Sequence, residues 1–197
     1  IVDTITLQND LVAIYNGDAL FIWDINSDII TGKFTDGIPN REDFGGIKTY
    51  STNNKVYFID KSSGQVKSLS TSGRGFMNLG TAVTDDAIKT ASDLAIDGNI
   101  YIASGGTILK FNSGEKQDFS PAISGLSNST KLYTQTDFER LYVLDSGNKK
   151  LSILNKDGSL FKNITSDQFT DLKDFSVDEK GSAVYILNGT ELLKVNF

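Results

Sequence analysis

Short runs of apolar and aromatic residues recur along the chain at a nearly constant interval. Five of these runs end in a small polar residue: 11–16, 55–60, 99–104, 140–145 and 183–188. Their second positions are 44, 44, 41 and 43 residues apart. A repeat of about 40 to 50 residues containing several short strands is typical of one blade of a β-propeller. We therefore expect these second positions to be equivalent and buried between blades: Val12, Val56, Ile100, Leu141 and Val184.

Two further β-rich segments flank each run. One segment precedes it, at 4–8, 49–53, 93–97, 131–135 and 174–178. Another follows it, at 19–25, 65–70, 107–112, 150–155 and 191–196. The turns between them contain Gly, Asn and Ser, which tolerate the positive φ that tight hairpins need. A more divergent outer strand is predicted near 28–34, 74–80, 115–120 and 158–164.

The predicted fold is an all-β propeller of five four-stranded blades, in which the last blade lacks its outer strand. Its edge is expected to pair with another strand. One alternative is that these blades form part of a six- or seven-bladed propeller. The other is a β-sandwich with coincidental spacing, which the agreement of the repeat steps disfavours. The whole chain, 1–197, is one domain with approximate blades 1–42, 43–86, 87–126, 127–168 and 169–197.

Composition narrows the chemistry. The chain has no His and no Cys, which excludes Ser–His–Asp and Cys–His catalysis and the usual transition-metal ligands. We expect neither a cofactor nor a metal. The formal net charge of −6 argues against a nucleic-acid partner. No apolar stretch approaches the length of a membrane-spanning helix, so we expect no membrane insertion by this segment.

The fourth unit, 143–164, resembles the NHL repeat. It has a strand that ends in Asp145, a turn at 146–148, a strand at 150–154 and a second turn at 157–158. The third unit is similar but shorter. NHL-like propellers serve as protein-interaction platforms, RNA-binding domains, extracytoplasmic sensors of bacterial signalling proteins and, more rarely, lyases. The family often has His after the Gly-Asn turn, where this chain has Lys149.

The resemblance implies a sensor or interaction domain of a larger bacterial protein, such as a kinase or a PPM-type phosphatase. It also implies an extracytoplasmic location on a bacterial membrane protein. Enzymatic relatives that depend on His cannot transfer their sites to a chain without His. RNA-binding relatives use a basic face, which the acidic charge does not favour.

Candidate site residues lie where the innermost strands begin, because those strands surround the channel of a propeller. We expect these positions to form one ring at the channel entrance: Thr4, Thr49, Asp93, Lys131 and Asp174. Asp93, Lys131 and Asp174 would then hold a polar ligand or a cation. Asp93 and Asp174 could instead satisfy backbone N–H groups of the entering loops.

Other candidate residues flank this ring. Tyr133 is the aromatic side chain best placed to face the channel. Arg41, Asp43 and Asp86 lie in the long loops that enter blades two and three, where solvated connectors are the alternative interpretation. Trp23 is expected to pack between blades.

Two functions compete at this point. The first is a non-catalytic domain that binds a protein, a peptide or a cell-wall polysaccharide. The second is a carboxylate-dependent glycoside hydrolase, with Asp93 and Asp174 as the first pair and Asp43 and Asp86 as alternates. Such a pair needs carboxyl groups about 5–5.5 Å or about 6.5–9.5 Å apart. Sugar sites are usually rich in Trp, and this chain has one Trp. The sequence therefore favours a binding domain without catalytic residues.

Overall fold

The second strand of each repeat is a nearly continuous apolar run, and successive side chains point to opposite faces, so each repeat can form an antiparallel sheet with two apolar faces. The computed structural model of the chain describes residues 3–7, 10–50, 52–180 and 182–197. It contains such a sheet for each repeat. Five antiparallel sheets are arranged as five blades of a β-propeller, and the last sheet has three strands. The fold prediction is thereby confirmed.

The strands follow the chain in simple order within each blade. Blade one contains β1 (Asp3–Thr6), β2 (Leu11–Tyr15), β3 (Leu20–Asp24) and β4 (Ile29–Phe34). Blade two contains β5 (Phe44–Tyr50), β6 (Lys55–Asp60), β7 (Gln65–Ser72) and β8 (Gly75–Thr84). Blade three contains β9 (Asp93–Ile96), β10 (Ile100–Ser104), β11 (Thr107–Asn112) and β12 (Glu115–Lys116). Blade four contains β13 (Thr130–Tyr133), β14 (Arg140–Asp145), β15 (Lys150–Asn155) and β16 (Leu160–Thr165). Blade five contains β17 (Leu172–Asp178), β18 (Ala183–Asn188) and β19 (Glu191–Asn196).

The predicted strands agree with these bounds within a few residues, with two larger differences. Strand β5 begins at Phe44, five residues before the predicted start, and the outer strand β12 is only two residues long. Gln8 and Ser51, which end or lie within predicted inner strands, are outside the described residues. A short 3-10 helix, Asp86–Thr90, occupies the loop that enters blade three. None of the helical residues that the structure describes forms a span long and apolar enough to cross a membrane.

The core consists of apolar clusters between successive blades. Four such clusters join blades one and two, two and three, three and four, and four and five. Val56, Leu141 and Val184 are fully buried in them, as predicted. Val12 and Ile100 are only half-buried, which corrects the prediction for these two residues. Val12 lies on the side of blade one that faces away from blade two, and Ile100 is the first residue of its strand.

Trp23 also departs from expectation. Its indole Nε1 donates a hydrogen bond to Asp28 Oδ1 at 3.1 Å, within its own blade. The pairing of Trp23 with Val12 places both side chains on the face of blade one that faces away from blade two. Trp23 is half-buried there and belongs to none of the core clusters, so the expectation that it packs between two blades is wrong.

Polar residues at the end of the second strands hold the entering loops in place. In blade four, Asp145 accepts hydrogen bonds from the backbone N–H of Ser127 at 3.2 Å and of Asn148 at 3.3 Å. In blade five, the Asn188 side chain accepts from the N–H of Thr170 and of Asp171, at 3.0 and 2.8 Å. These bonds satisfy buried backbone groups and fix the loops that reach the channel entrance.

Candidate functional site

Charged side chains from all five blades lie around the channel. Four of them occupy equivalent positions in the strand register, opposite the fifth residue of the repeated apolar run: Asp3, Asp93, Lys131 and Asp174. In blade two a β-bulge between Phe44 and Ile47 interrupts this register, and Lys48 supplies the charge instead. We call these five residues the charged tier. The signs alternate along the chain from blade one to blade five, and Lys48 and Asp93 form an ion pair.

The ring predicted from the sequence is corrected in two blades. Thr4 pairs with Ile14, one position away from the tier, and Asp3 takes the predicted place. Thr49 pairs with Val56, three positions from the tier, and the one-residue bulge between Phe44 and Ile47 accounts for only part of this difference. Asp93, Lys131 and Asp174 do occupy one tier, as the sequence predicts.

Asp93 is the most enclosed member of the charged tier. Its side chain is 1 % exposed, and its Oδ2 atom forms a 3.3 Å ion pair with Lys48 Nζ. The same oxygen accepts a hydrogen bond from the backbone N–H of Leu132 at 2.9 Å. The other oxygen, Oδ1, is buried without a hydrogen-bond partner among the described residues. It lies against Gly46, where a Cβ would come within 2.6 Å of it.

The electrostatics of the tier are coupled across blades. Burial works to lower the pKa of Lys48, yet its pKa is raised because the carboxylates of Asp93, Asp3 and Asp174 act on it. Burial also raises the pKa of Asp3, and the nearby charges of Lys131 and Lys48 offset this only in part. The tier is therefore one interacting set of charges.

A cleft of about 500 Å³ opens beside the tier on the face formed by the entering loops. We call it the entrance cleft. Lys131 and Lys173 line it together with five hydroxyl side chains, those of Ser92, Ser129, Thr130, Ser146 and Thr170. Lys173 forms a 2.7 Å ion pair with Asp171, and both side chains are about half exposed. Lys131 has no ion pair within 4.0 Å among residues 3–7, 10–50, 52–180 and 182–197.

Tyr133 lines a cavity other than the entrance cleft. It lines a smaller cavity of about 170 Å³ together with Lys48, Tyr50 and Gln135. Its ring packs against Phe175 at 6.1 Å between centroids, and its hydroxyl accepts a 2.5 Å hydrogen bond from Gln135 Nε2. The structure therefore does not bring Tyr133 into the entrance cleft with Lys131.

The side chains of two loop candidates, Asp86 and Asp43, pair with residues of their own loops. Asp86 pairs with Lys89 at 2.7 Å within the 3-10 helix. Asp43 accepts a 2.9 Å hydrogen bond from the side-chain amide of Asn40. Neither of these residues nor Arg41 lines the entrance cleft, so the structure does not join the loop candidates to the tier.

Sequence reasoning missed Asp3, Lys48 and the role of Gly46. The signal for the last two was present, because consecutive glycines inside a strand pattern often mark a bulge. In the part of the chain that the structure describes, no group of three or more carboxylates is placed to hold a metal ion. The site thus offers mixed charges and hydroxyl groups.

No family model matches this chain, and no curated protein matches it. Solved structures do. A streptogramin B lyase is 12 % identical with a TM-score of 0.70, and the match covers 99 % of this chain and 68 % of that one. A virginiamycin B lyase from Staphylococcus aureus is 11 % identical with a TM-score of 0.67, and the match covers 99 % and 69 % of the two chains.

A protein of unknown function from Bacteroides thetaiotaomicron VPI-5482 is similar as well. It is 15 % identical with a TM-score of 0.72, and the match covers 98 % of this chain and 54 % of that one. This chain thus spans about half to two thirds of the length of these structures. At such identities the similarity establishes the β-propeller fold and leaves the type of repeat and the function to be argued from the residues themselves.

Proposed function

We propose that this propeller is a non-catalytic binding domain that holds a polar peptide segment of a partner protein in the entrance cleft. The observation that carries the proposal is the pairing of a large cleft with Lys131, a cation that has no ion pair among the described residues. An acidic side chain or a C-terminal carboxylate of the peptide would pair with Lys131, and the surrounding hydroxyls would accept and donate hydrogen bonds.

The arrangement of the charged tier favours a binding function over a catalytic one. Asp93 would be the first carboxylate of a glycoside hydrolase pair, but it is fully buried and ion-paired with Lys48. A carboxylate held in this way cannot approach a glycosidic bond in the cleft. A variant of the virginiamycin B lyase that replaces a histidine by alanine is described as catalytically inactive, and the present chain has no His. We therefore propose no lyase activity.

The proposed setting is a larger bacterial signalling protein, such as a kinase or a PPM-type phosphatase, for which this domain acts as an extracytoplasmic sensor. The support for this setting is the resemblance of residues 143–164 to the NHL repeat. The cleft supports a peptide over a nucleic acid because Asp171 is exposed beside Lys173 and the net charge is −6.

A peptide-display selection tests the proposal. Selected peptides are measured by calorimetry against the wild-type domain, Lys131→Glu and the control Lys162→Glu, whose side chain is exposed on the outer strand of blade four. We expect Lys131→Glu to weaken binding about tenfold or more, the effect of losing a charge-assisted contact. Lys162→Glu should leave binding within about twofold of wild type.

Two results would overturn the proposal. One is selected peptides that bind Lys131→Glu as well as wild type, which would place the site elsewhere. The other is a selection that yields no binding peptide while cell-wall oligosaccharides bind the domain and are blocked by Lys131→Glu. That second result would make the cleft a saccharide site.

A further inference from the structure

Blades two, three and four are covered on both faces, whereas blades one and five are covered on one. We define the forward face of a blade as the face toward the next blade in the chain, and the rear face as the opposite one. The four apolar clusters each join one forward face to the following rear face. In the described part of the chain no cluster joins the forward face of blade five to the rear face of blade one.

The forward face of blade five repeats the pattern of a buried interface. In blade two, this face carries Tyr57, Ile59 and Val66, which are 9 %, 0 % and 0 % exposed. The equivalent residues of blade four, Tyr142, Leu144 and Leu151, are all 0 % exposed. In blade five the equivalents are Tyr185, Leu187 and Leu192. Leu187 and Leu192 lie directly opposite each other in the register, yet they are 39 % and 68 % exposed.

The rear face of blade one shows the same property. Val12, Trp23 and Ile30 share this face, because the register pairs Val12 with Trp23 and Trp23 with Ile30. Ile30 is 61 % exposed. In blade two, the rear-face equivalents of Val12 and Trp23 are Val56 and Leu69, and both are 0 % exposed.

These two faces are complementary halves of one kind of interface. In blades two, three and four, the forward face has a Tyr–x–apolar pattern that begins at Tyr57, Tyr101 and Tyr142, and it packs against the apolar rear face of the next blade. Apolar surface of this kind is stabilised when another sheet removes it from water. Strand β19 also presents the unpaired edge of its three-stranded sheet.

We infer that the forward face of blade five and the rear face of blade one bind further blades of this same repeat, which complete the ring between them. We base the number of further blades on the streptogramin B lyase. About a third of the streptogramin B lyase chain lies outside the match, roughly 90 residues, or about two repeats of the propeller period. The occupant is thus a pair of four-stranded blades with an apolar face at each end.

An extended chain tests this inference directly. Two further copies of residues 156–197 are appended after Phe197. Each copy begins with the outer strand β16, which completes the blade before it, and continues with three new inner strands. We expect the extended protein to form a closed ring with a Tm at least about 5 °C higher and with weaker binding of the apolar dye ANS than the 197-residue chain.

A paired substitution separates this result from a general gain in size. Leu187→Asp with Leu192→Asp should leave the Tm of the 197-residue chain within about 2 °C, because the two side chains are exposed there. In the extended chain the same pair, placed in the original blade five, should cancel the gain in Tm and restore ANS binding.

Three outcomes would overturn the inference. The extended chain could show no gain in Tm and no loss of ANS binding. The paired substitution could destabilise the 197-residue chain strongly, which would mean that its own blades already cover this face. The chain could also form dimers that the paired substitution dissociates, which would make a second copy the occupant.

Discussion

The central blades and the end blades of this propeller have the same repeat but different surroundings. In the charged tier, Asp93 of blade three is buried between two neighbouring blades and is ion-paired, whereas Asp174 of blade five occupies the equivalent position and is exposed. The second strands of blades two and four end in the buried carboxylates of Asp60 and Asp145, whereas that of blade five ends in the buried but uncharged Asn188. A position in the repeat thus fixes the direction of a side chain, and the neighbouring blade fixes its environment.

The largest expected effect compares Leu141 with Val12, equivalent positions in a central and an end blade. Leu141→Asp should abolish cooperative folding, because an unpaired charge in a fully buried site costs several kcal/mol of a total stability of about 5–15 kcal/mol. Val12→Asp should fold with a moderately lowered Tm, because its face is not covered by a blade. Circular dichroism melting curves measure both variants. A Leu141→Asp variant that melts like the wild type would contradict the observed register.

The second prediction compares Asp93 with Asp174. Asp93→Ala removes the ion pair with Lys48 and the acceptor of the Leu132 N–H, so it should lower the free energy of unfolding by about 3 kcal/mol. Asp174→Ala removes an exposed carboxylate and should change it by less than about 0.5 kcal/mol. Urea unfolding measures the difference. Equal effects of the two substitutions would remove the distinction between central and end blades in the tier.

The third prediction compares two glycines that both have a positive φ. Gly46 of blade two has φ +127°, and a Cβ there would lie 2.6 Å from Asp93 Oδ1. Gly189 of blade five has φ +62°, and the nearest atom to its Cβ would be an ordinary 3.8 Å away. Gly46→Ala should therefore cost at least about 2 kcal/mol, and Gly189→Ala about 1 kcal/mol from backbone strain alone. If urea unfolding shows a smaller loss of stability for Gly46→Ala than for Gly189→Ala, the Asp93 side chain has moved away from the new Cβ at little cost.

The fold could be predicted from the sequence because its evidence is repeated five times. The steps between Val56, Ile100 and Leu141 fix the blade period even where single strands are ambiguous. Turn residues such as 146–148 mark the hairpins independently. A single misread strand end, such as that of β5, does not change the number of blades.

The site could be predicted only in part because it depends on single residues. Asp93, Lys131 and Asp174 follow directly from the repeat, and they share one tier. Lys48 enters the tier through a bulge that breaks the repeat, so alignment of the repeats excludes it. The burial of individual side chains could not be predicted for a different reason. Whether Val12 or Trp23 is covered depends on the neighbouring blade, and the pattern within one repeat carries no such information.

The last and smallest expected effect concerns acid stability and compares Asp60 with an exposed carboxylate. Burial works to raise the pKa of Asp60, but hydrogen bonds from Lys67, Ser62 and Ser63 lower it to about 2. An unfolded chain has an Asp pKa of about 3.9, so the folded state favours the ionised form. The stability that this carboxylate provides is present above about pH 4 and is lost as the pH falls toward 2.

Asp60→Asn removes this contribution at every pH. We therefore expect its Tm to lie below that of the wild type at pH 6, with a gap that narrows between pH 4 and pH 2. Asp36→Asn, in an exposed loop, serves as the control and should follow the wild-type curve throughout. A gap for Asp60→Asn that stays constant over this range would show that the side chain acts through packing and neutral hydrogen bonds. The negative charge of Asp60 would then contribute no stability beyond that of a neutral side chain at the same position.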